Sequence, residues 1–463
     1  MYINWKRTAI ALPLSAAVII PAAPGIASAD SHDGHDDMEM SEEMMTSVAT
    51  PAGDLRAQLD HYLSEHAYLA VTTMQKGADG ADDFEESAAA LEANTKDLSS
   101  TITSVYGEEA GTQFEEMWSE HIGYFVDYVE ATGAEDEEAK QEALDNLGNY
   151  QTEFSEFLDS ATEGGLEADA AAEGLGMHVD QLIGAFDSYV AGDYEQAYSM
   201  SSDAIEHMYG VSEGLSGAIA AQFPEEYDNT TPDTPAVDLR SDLNFLLSEH
   251  AALAVTTMQK GAAGAEDFGA AAGILNQNTQ ELSDTIASVY GEEAGEQFEE
   301  MWSEHIGYFV DYVEAAGAED EEAKQEALDN LGNYQTEFSE FLAGATEGEL
   351  EAEGLSEGLG MHVDQLVGAF DSYTMGEYDS AYEDTREAYG HMFGVSEGLS
   401  GAIVAQYPEN FEESSSDEAM PEEMPQTGLG GSEQNVSPWG IAAGSMALIL
   451  AGIAVTKRRR EEA

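Results

Sequence analysis

Cysteine is absent from this 463-residue chain. No disulfide can hold the fold, so core packing must, and thiolate metal sites are excluded. Positive charge is nearly as scarce: Lys and Arg number 14 against 94 Asp and Glu, a formal net charge of −80. Six of the fourteen (Lys6, Arg7, Lys457, Arg458, Arg459 and Arg460) sit in the two terminal segments, leaving eight between Asp30 and Val455. Such a surface repels polyanions, which removes nucleic acid and anionic lipid from the list of partners. It suits a salty habitat, and it could also collect cations weakly. Extended alternation of β-branched residues is missing too, which argues against sheet. There is no Gly-x-Ser-x-Gly elbow, phosphate-binding glycine loop or His-Glu-x-x-His, so no common catalytic motif is present. The many carboxylates follow from the overall charge and single out no glycosidase pair.

What is present begins with two terminal signals. Lys6 and Arg7 precede an apolar stretch, Thr8 to Ile20, and Ala27-Ser28-Ala29 supplies small residues for signal-peptidase cleavage. Residues 1–29 therefore read as a signal peptide and 30–50 as a disordered acidic leader rich in His and Met. At the other end an acidic tail, 411–437, carries Met424-Pro425-Gln426-Thr427-Gly428. An apolar span, 438–456, and a basic tail, 457–463, follow, as expected of a transmembrane helix with its cytoplasmic anchor. This order resembles the sorting signal of Gram-positive cell-wall proteins, whose motif is Leu-Pro-any-Thr-Gly, with Met424 in the place of Leu. The resemblance implies that sortase cuts between Thr427 and Gly428, with Pro425 completing the signal, and joins Thr427 to peptidoglycan.

Between the signals the chain repeats itself without gaps at an offset of 184 residues. "LSEHA" at 63–67 returns at 247–251, and "MWSEHIGYFVDYVEA" at 117–131 returns at 301–315. The two copies, 51–223 and 239–410, flank a polar linker at 224–238. Within a copy, Leu55, Leu59, Leu63, His66 and Leu69 recur at helical spacing, as do Phe114, Met117, His121, Tyr124 and Tyr128. Gly and acidic clusters punctuate the runs near 77–82, 107–111, 133–137, 163–166 and 191–193. The expected fold is all-α: two tandem copies of a five- to six-helix bundle.

Eight of the eleven histidines fall at matched positions: His66/His250, His121/His305, His178/His362 and His207/His391. His61 is matched by Phe245. Where the copies have drifted apart, as between "YEQAYSMSSDAIEHMYG" and "YDSAYEDTREAYGHMFG", His207-Met208 and His391-Met392 both remain. Met177 and Met361 precede His178 and His362. Four helices that each point an imidazole inward can build a metal site in a bundle core. Imidazole and thioether suit copper, and haem iron is the second expectation. Glu65 and Glu249 could add an oxygen or orient a ring. The competing expectation is that these histidines are hydrogen-bonded core residues and the methionines gap-fillers. No Glu-x-x-His pair, His-x-His or Cys-x-x-Cys-His occurs in the body, so ferritin-type di-iron and covalent-haem patterns are unmatched.

"LSEHAYLAVTTMQKG", "WSEHIGYFVDYV", "MHVDQLIGAFDSYVAGDYEQAY" and the terminal His-Met of each copy resemble helical modules of secreted Bacillus-type proteins often labelled copper amine oxidase. Amine oxidation does not come with the resemblance. Copper amine oxidases are large β-sandwiches with a Thr-x-x-Asn-Tyr-Asp/Glu cofactor motif. Here Asn149-Tyr150 and Asn333-Tyr334 are followed by Gln and lack the upstream Thr. The expected function is that of a non-enzymatic, wall-anchored metal binder. The rivals are a metal-free spacer or adhesin and a copper-dependent oxidoreductase.

The charge balance makes a prediction of its own. Raising ionic strength shortens the Debye length from about 30 Å at 0.01 M to about 3 Å at 1 M. Thermal melts in rising NaCl should therefore move upward, and a melting temperature independent of salt would show that carboxylate repulsion does not limit this fold.

Overall fold

A computed structural model describes residues 46–412. The signal peptide, nearly all of the leader, the sorting motif with Pro425, Thr427 and Gly428, and the apolar span 438–456 lie outside them. Among the described residues the chain is helical, with no strand and no helix long and apolar enough to cross a membrane.

Twelve helices are described. Repeat 1 contains α1 (Pro51–Asp79), α2 (Phe84–Tyr106), α3 (Glu108–Gly133), α4 (Glu137–Ala161), α5 (Ala168–Ala191) and α6 (Tyr194–Gln222). Repeat 2 contains α7 (Pro235–Ala263), α8 (Phe268–Tyr290), α9 (Glu292–Gly317), α10 (Glu321–Ala345), α11 (Ala352–Met375) and α12 (Tyr378–Gln406). Every boundary recurs at the offset of 184, so each copy has six helices. Local chemistry sets these ends. The Thr50 hydroxyl accepts from the Gly53 N–H, Pro51 opens the helix, and Gly80 closes it at φ 59°. Thr234, Pro235 and Gly264 do the same for α7. That cap draws residues 235–238, the end of the expected linker, into the first turn of α7. The rest of the linker folds back on α1: Thr230 accepts from the Ala52 N–H, and Arg56 donates to the Pro232 carbonyl.

In each repeat the first helix is the hub. α1 packs against α2, α3, α5 and α6, while α4 bridges α3 and α5. Its expected stripe, Leu55, Leu59, Leu63, His66 and Leu69, is buried throughout. On α3 the buried face runs instead through Phe114, Trp118, His121, Phe125 and Tyr128, one position round from Met117 and Tyr124, which are only half-buried.

Both repeats belong to one compact unit. α1 packs against α7, α6 against α8, and α12 against α2. Contacts across the junction come in reciprocal pairs, the signature of two-fold symmetry. Arg56 reaches Asp238 at 2.6 Å while Arg240 reaches Asp54 at 2.7 Å. Tyr198 donates to Asp267 and Tyr382 to Asp83. Asp60 accepts from Asn244, its own counterpart at the offset, so the pseudo-dyad passes between them.

The few cations are concentrated on such contacts. All eight basic residues of the body are ion-paired: Arg56, Lys76, Lys96, Lys140, Arg240, Lys260, Lys324 and Arg386. Lys76 and Lys260 also lie over Tyr373 and Tyr189 of the opposite repeat.

Symmetry fails at one instructive place. Arg386 on α12 pairs with the buried Glu65 and with Asp97 on repeat 1. The equivalent of Arg386 is Ser202, so Glu249 accepts only from Ser202 and Asn278. Burial without a cation pushes Glu249 up to about 7. Arg386→Ser should therefore strand Glu65 in the same way and cost about 3–5 kcal/mol. Ser202→Arg should raise the melting temperature, more at pH 8 than at pH 6, because the ionised Glu249 is the form that needs a partner. Thermal melts of both variants test this, and an Arg386→Ser protein as stable as wild type would refute it.

Candidate metal centre

The hub helix and two helices packed against it each deliver one imidazole to the same point. His66 comes from α1, His121 from α3 and His178 from α5, all buried, and one nitrogen of each lies within 4.8 Å of the others. His250, His305 and His362 on α7, α9 and α11 repeat the arrangement. Ring centroids of His66 stand 5.3 Å from His121 and 5.8 Å from His178. The corresponding values in repeat 2 are 5.4 and 5.9 Å. Bonds of about 2 Å at tetrahedral angles would place ligating nitrogens about 3.3 Å apart. His250 Nε2 and His305 Nε2 are already 3.4 Å apart. These are two buried triads of a geometry that can hold a metal ion.

The electrostatics match. Burial pushes His121 and His305 down to about 3, with the neighbouring His178 and His362 adding to the shift. His66, His178, His250 and His362 are likewise held well below the usual 6.5, first by burial and then by the adjacent rings. All six are therefore neutral at pH 7, the form that coordinates metal.

The hydrogen bonding of the triads is incomplete. Here both nitrogens of His66 and His178, and Nδ1 of His121, have no hydrogen-bond partner, and neither do the Nδ1 atoms of His250, His305 and His362. Leaving such a group unmet costs about 1–3 kcal/mol. An ion that accepted one nitrogen from each ring would offset much of that.

Aromatic rings enclose the triads. Trp118 lies 4.8 Å from both His66 and His121, and Tyr150 on α4 stacks on His121 at 4.7 Å. Trp302 and Tyr334 repeat this around His250 and His305. The indole nitrogens and phenol oxygens of all four are buried without partners. The sequence held a signal for Trp118 in its position three residues before His121. Nothing in it announced Tyr150, which comes from a helix that supplies no histidine.

Other expected ligands lie elsewhere. His207 is outside the triad: its Nε2 meets the Gly174 carbonyl on α5 at 2.9 Å, and His391 meets the Gly358 carbonyl at 3.0 Å. These histidines tie the last helix of a repeat to the one before it, one turn ahead of His178 and His362. That contact accounts for their survival where neighbouring positions drifted. Met177 and Met361 are 47% and 52% exposed, so they cannot enclose a buried ion. Met208 and Met392 are buried in the hydrophobic cores. Glu65 and Glu249 turn from the triads to the repeat junction, where Glu65 is held by Asn94 and Arg386. His61 packs at a tilt against Phe393 across that junction, ring centroids 4.7 Å apart.

Neutral burial fixes the sign of a pH effect. In the unfolded chain each triad histidine regains its usual value near 6.5, so the unfolded state takes up the proton first and stability falls as pH drops below 6.5. Replacing His121 and His305 with Gln removes that uptake. Between pH 7.5 and pH 5, metal-free wild type should lose roughly 2 kcal/mol per replaced histidine relative to the variant. Urea melts at the two pH values measure the difference, and parallel pH profiles would contradict neutral burial.

Comparison with protein-family models, with curated proteins and with solved structures gives no match, and the triads stand on their own geometry.

Proposed function

We propose that this is an extracellular metal-binding protein in which each repeat holds one transition-metal ion, copper foremost, through its triad: His66, His121 and His178 in the first, His250, His305 and His362 in the second. The observation that carries the reading is the buried triad of neutral imidazoles, built twice with the same spacing, in which each ring keeps at least one nitrogen without a hydrogen-bond partner. A spacer or adhesin would have no use for eight unmet ring nitrogens on six histidines in its cores. An oxidoreductase needs a coordination position open to substrate, whereas every triad histidine is buried, with Trp and Tyr rings packed on two of the three in each repeat. Haem suits the site poorly, since a porphyrin must lie flat between two axial ligands and here a third histidine and an indole fill that space.

The terminal signals place the protein in this reading. Export through residues 1–29, sortase cleavage after Thr427 and linkage to peptidoglycan would hold the acidic body outside the membrane. Its carboxylates would concentrate cations near the surface. The His/Met leader, with His32, His35 and four methionines, has the composition of extracytoplasmic copper-handling segments.

Metal analysis of the exported chain tests the proposal. His121→Gln should remove one ion, and His121→Gln with His305→Gln should remove two, with helicity intact by circular dichroism. His207→Ala and His61→Ala should keep the full complement, because neither side chain joins a triad. Equal metal content in wild type and the double variant would return the histidines to the core and favour the spacer.

A further inference from the structure

We infer that the triads are built for monovalent copper, Cu(I), and select it against divalent Zn(II) and Cu(II); this rests on the metal-site reading above. The first reason is charge. Among the described residues, the groups that converge with metal-ligand spacing are histidines, with no carboxylate in either triad. The nearest acids in sequence, Glu65 and Glu249, are turned to Arg386, Asn94, Ser202 and Asn278. Three neutral ligands leave the whole charge of the ion in a dry core. The cost of burying an ion rises with the square of its charge, so a divalent ion pays about four times the penalty of a monovalent one.

Coordination number is the second reason. Zn(II) on three histidines takes water or hydroxide in a fourth position, and a hydroxide would offset one of its charges. That solution needs a polar, solvent-connected opening. Here the rings packed against His121 are those of Trp118, Tyr150 and Phe125, all buried, with Tyr150 stacked directly on it. Cu(I) is content with three ligands and needs no water. It is also soft, and three imidazoles without an oxygen donor do not disfavour it.

The indole adds a third argument. Trp118 lies against His66 and His121 at the same 4.8 Å, so an ion held by those rings has an aromatic neighbour, as it has with Trp302 in repeat 2. A π system attracts a desolvated cation without adding a negative charge of its own. Among the described residues no acid joins either buried triad, which marks those sites off from the acidic surface. Surface carboxylates bind hard divalent cations, and the cores take the soft monovalent one.

The test is an anaerobic titration of the full mature chain with Cu(I), buffered by a chromophoric Cu(I) chelator and ascorbate, beside titrations with Zn(II) and with Cu(II) in the absence of reductant. The signal assigned to the triads is the difference between wild type and the His121→Gln/His305→Gln variant, which removes any binding by the leader. Two Cu(I) per chain are expected there, held about a hundredfold or more tighter than Zn(II). The X-ray absorption difference between the loaded wild type and the loaded variant should show a Cu(I) edge with three nitrogen ligands. Triads that take Zn(II) or Cu(II) as tightly as Cu(I) overturn the choice of oxidation state while leaving the metal site standing. Triads that take none of the three overturn both.

Discussion

A buried polar group must find a partner, and in this protein that requirement governs both the junction between repeats and the centre of each. Cations are so few that each is committed. Arg56 and Arg240 clamp the two copies reciprocally, Lys76 and Lys260 sit between an aspartate and a tyrosine, and Arg386 serves two acids at once. Where a cation is missing, the nearby carboxyl holds its proton more tightly, as Glu249 does beside Ser202. Acids at the junction therefore find a guanidinium, a hydroxyl, an amide or a proton. In each triad histidine at least one ring nitrogen finds no hydrogen-bond partner among the described residues.

Duplication explains how one chain makes two such centres with matching geometry. Each hub helix carries two opposed functions on neighbouring residues. His66 faces inward to its own bundle while Glu65 faces the other repeat, because successive residues on a helix point about 100° apart. The same division holds for His250 and Glu249. The hub that positions a triad is thus the helix that joins the copies, and each triad is braced by packing on two sides. Reciprocal contacts and the pairing of Asp60 with Asn244 give the chain the organisation of a symmetric dimer carried on one polypeptide.

Much of the fold was legible in the sequence. Helix ends followed Thr-Pro starts and Gly stops, and the expected breaks near 77–82, 107–111, 133–137, 163–166 and 191–193 fall at or beside the observed ones. That His66, His121 and His178 turn inward was legible, because an apolar stripe reports which side chains converge. Retention between copies misled at His207 and His391, since any fixed contact resists drift and theirs is a carbonyl on the adjacent helix. Adjacency in sequence misled at Met177 and Glu65, whose histidine neighbours point elsewhere on the helix. The stripe on α3 was one position off, because Met117 and Tyr124 are as apolar in composition as Trp118 and Phe125. Tyr150 and the junction depend on which helices meet, and no local pattern carries that information.

The central claim is that two ions sit at two defined points, each inside a ring of three imidazoles. Anomalous diffraction from crystals of the metal-loaded protein, collected above and below the copper absorption edge, addresses it most directly. The account predicts one anomalous peak among His66, His121 and His178 and a second among His250, His305 and His362. Peaks confined to surface carboxylates, or triads that diffract without any anomalous signal, would contradict it.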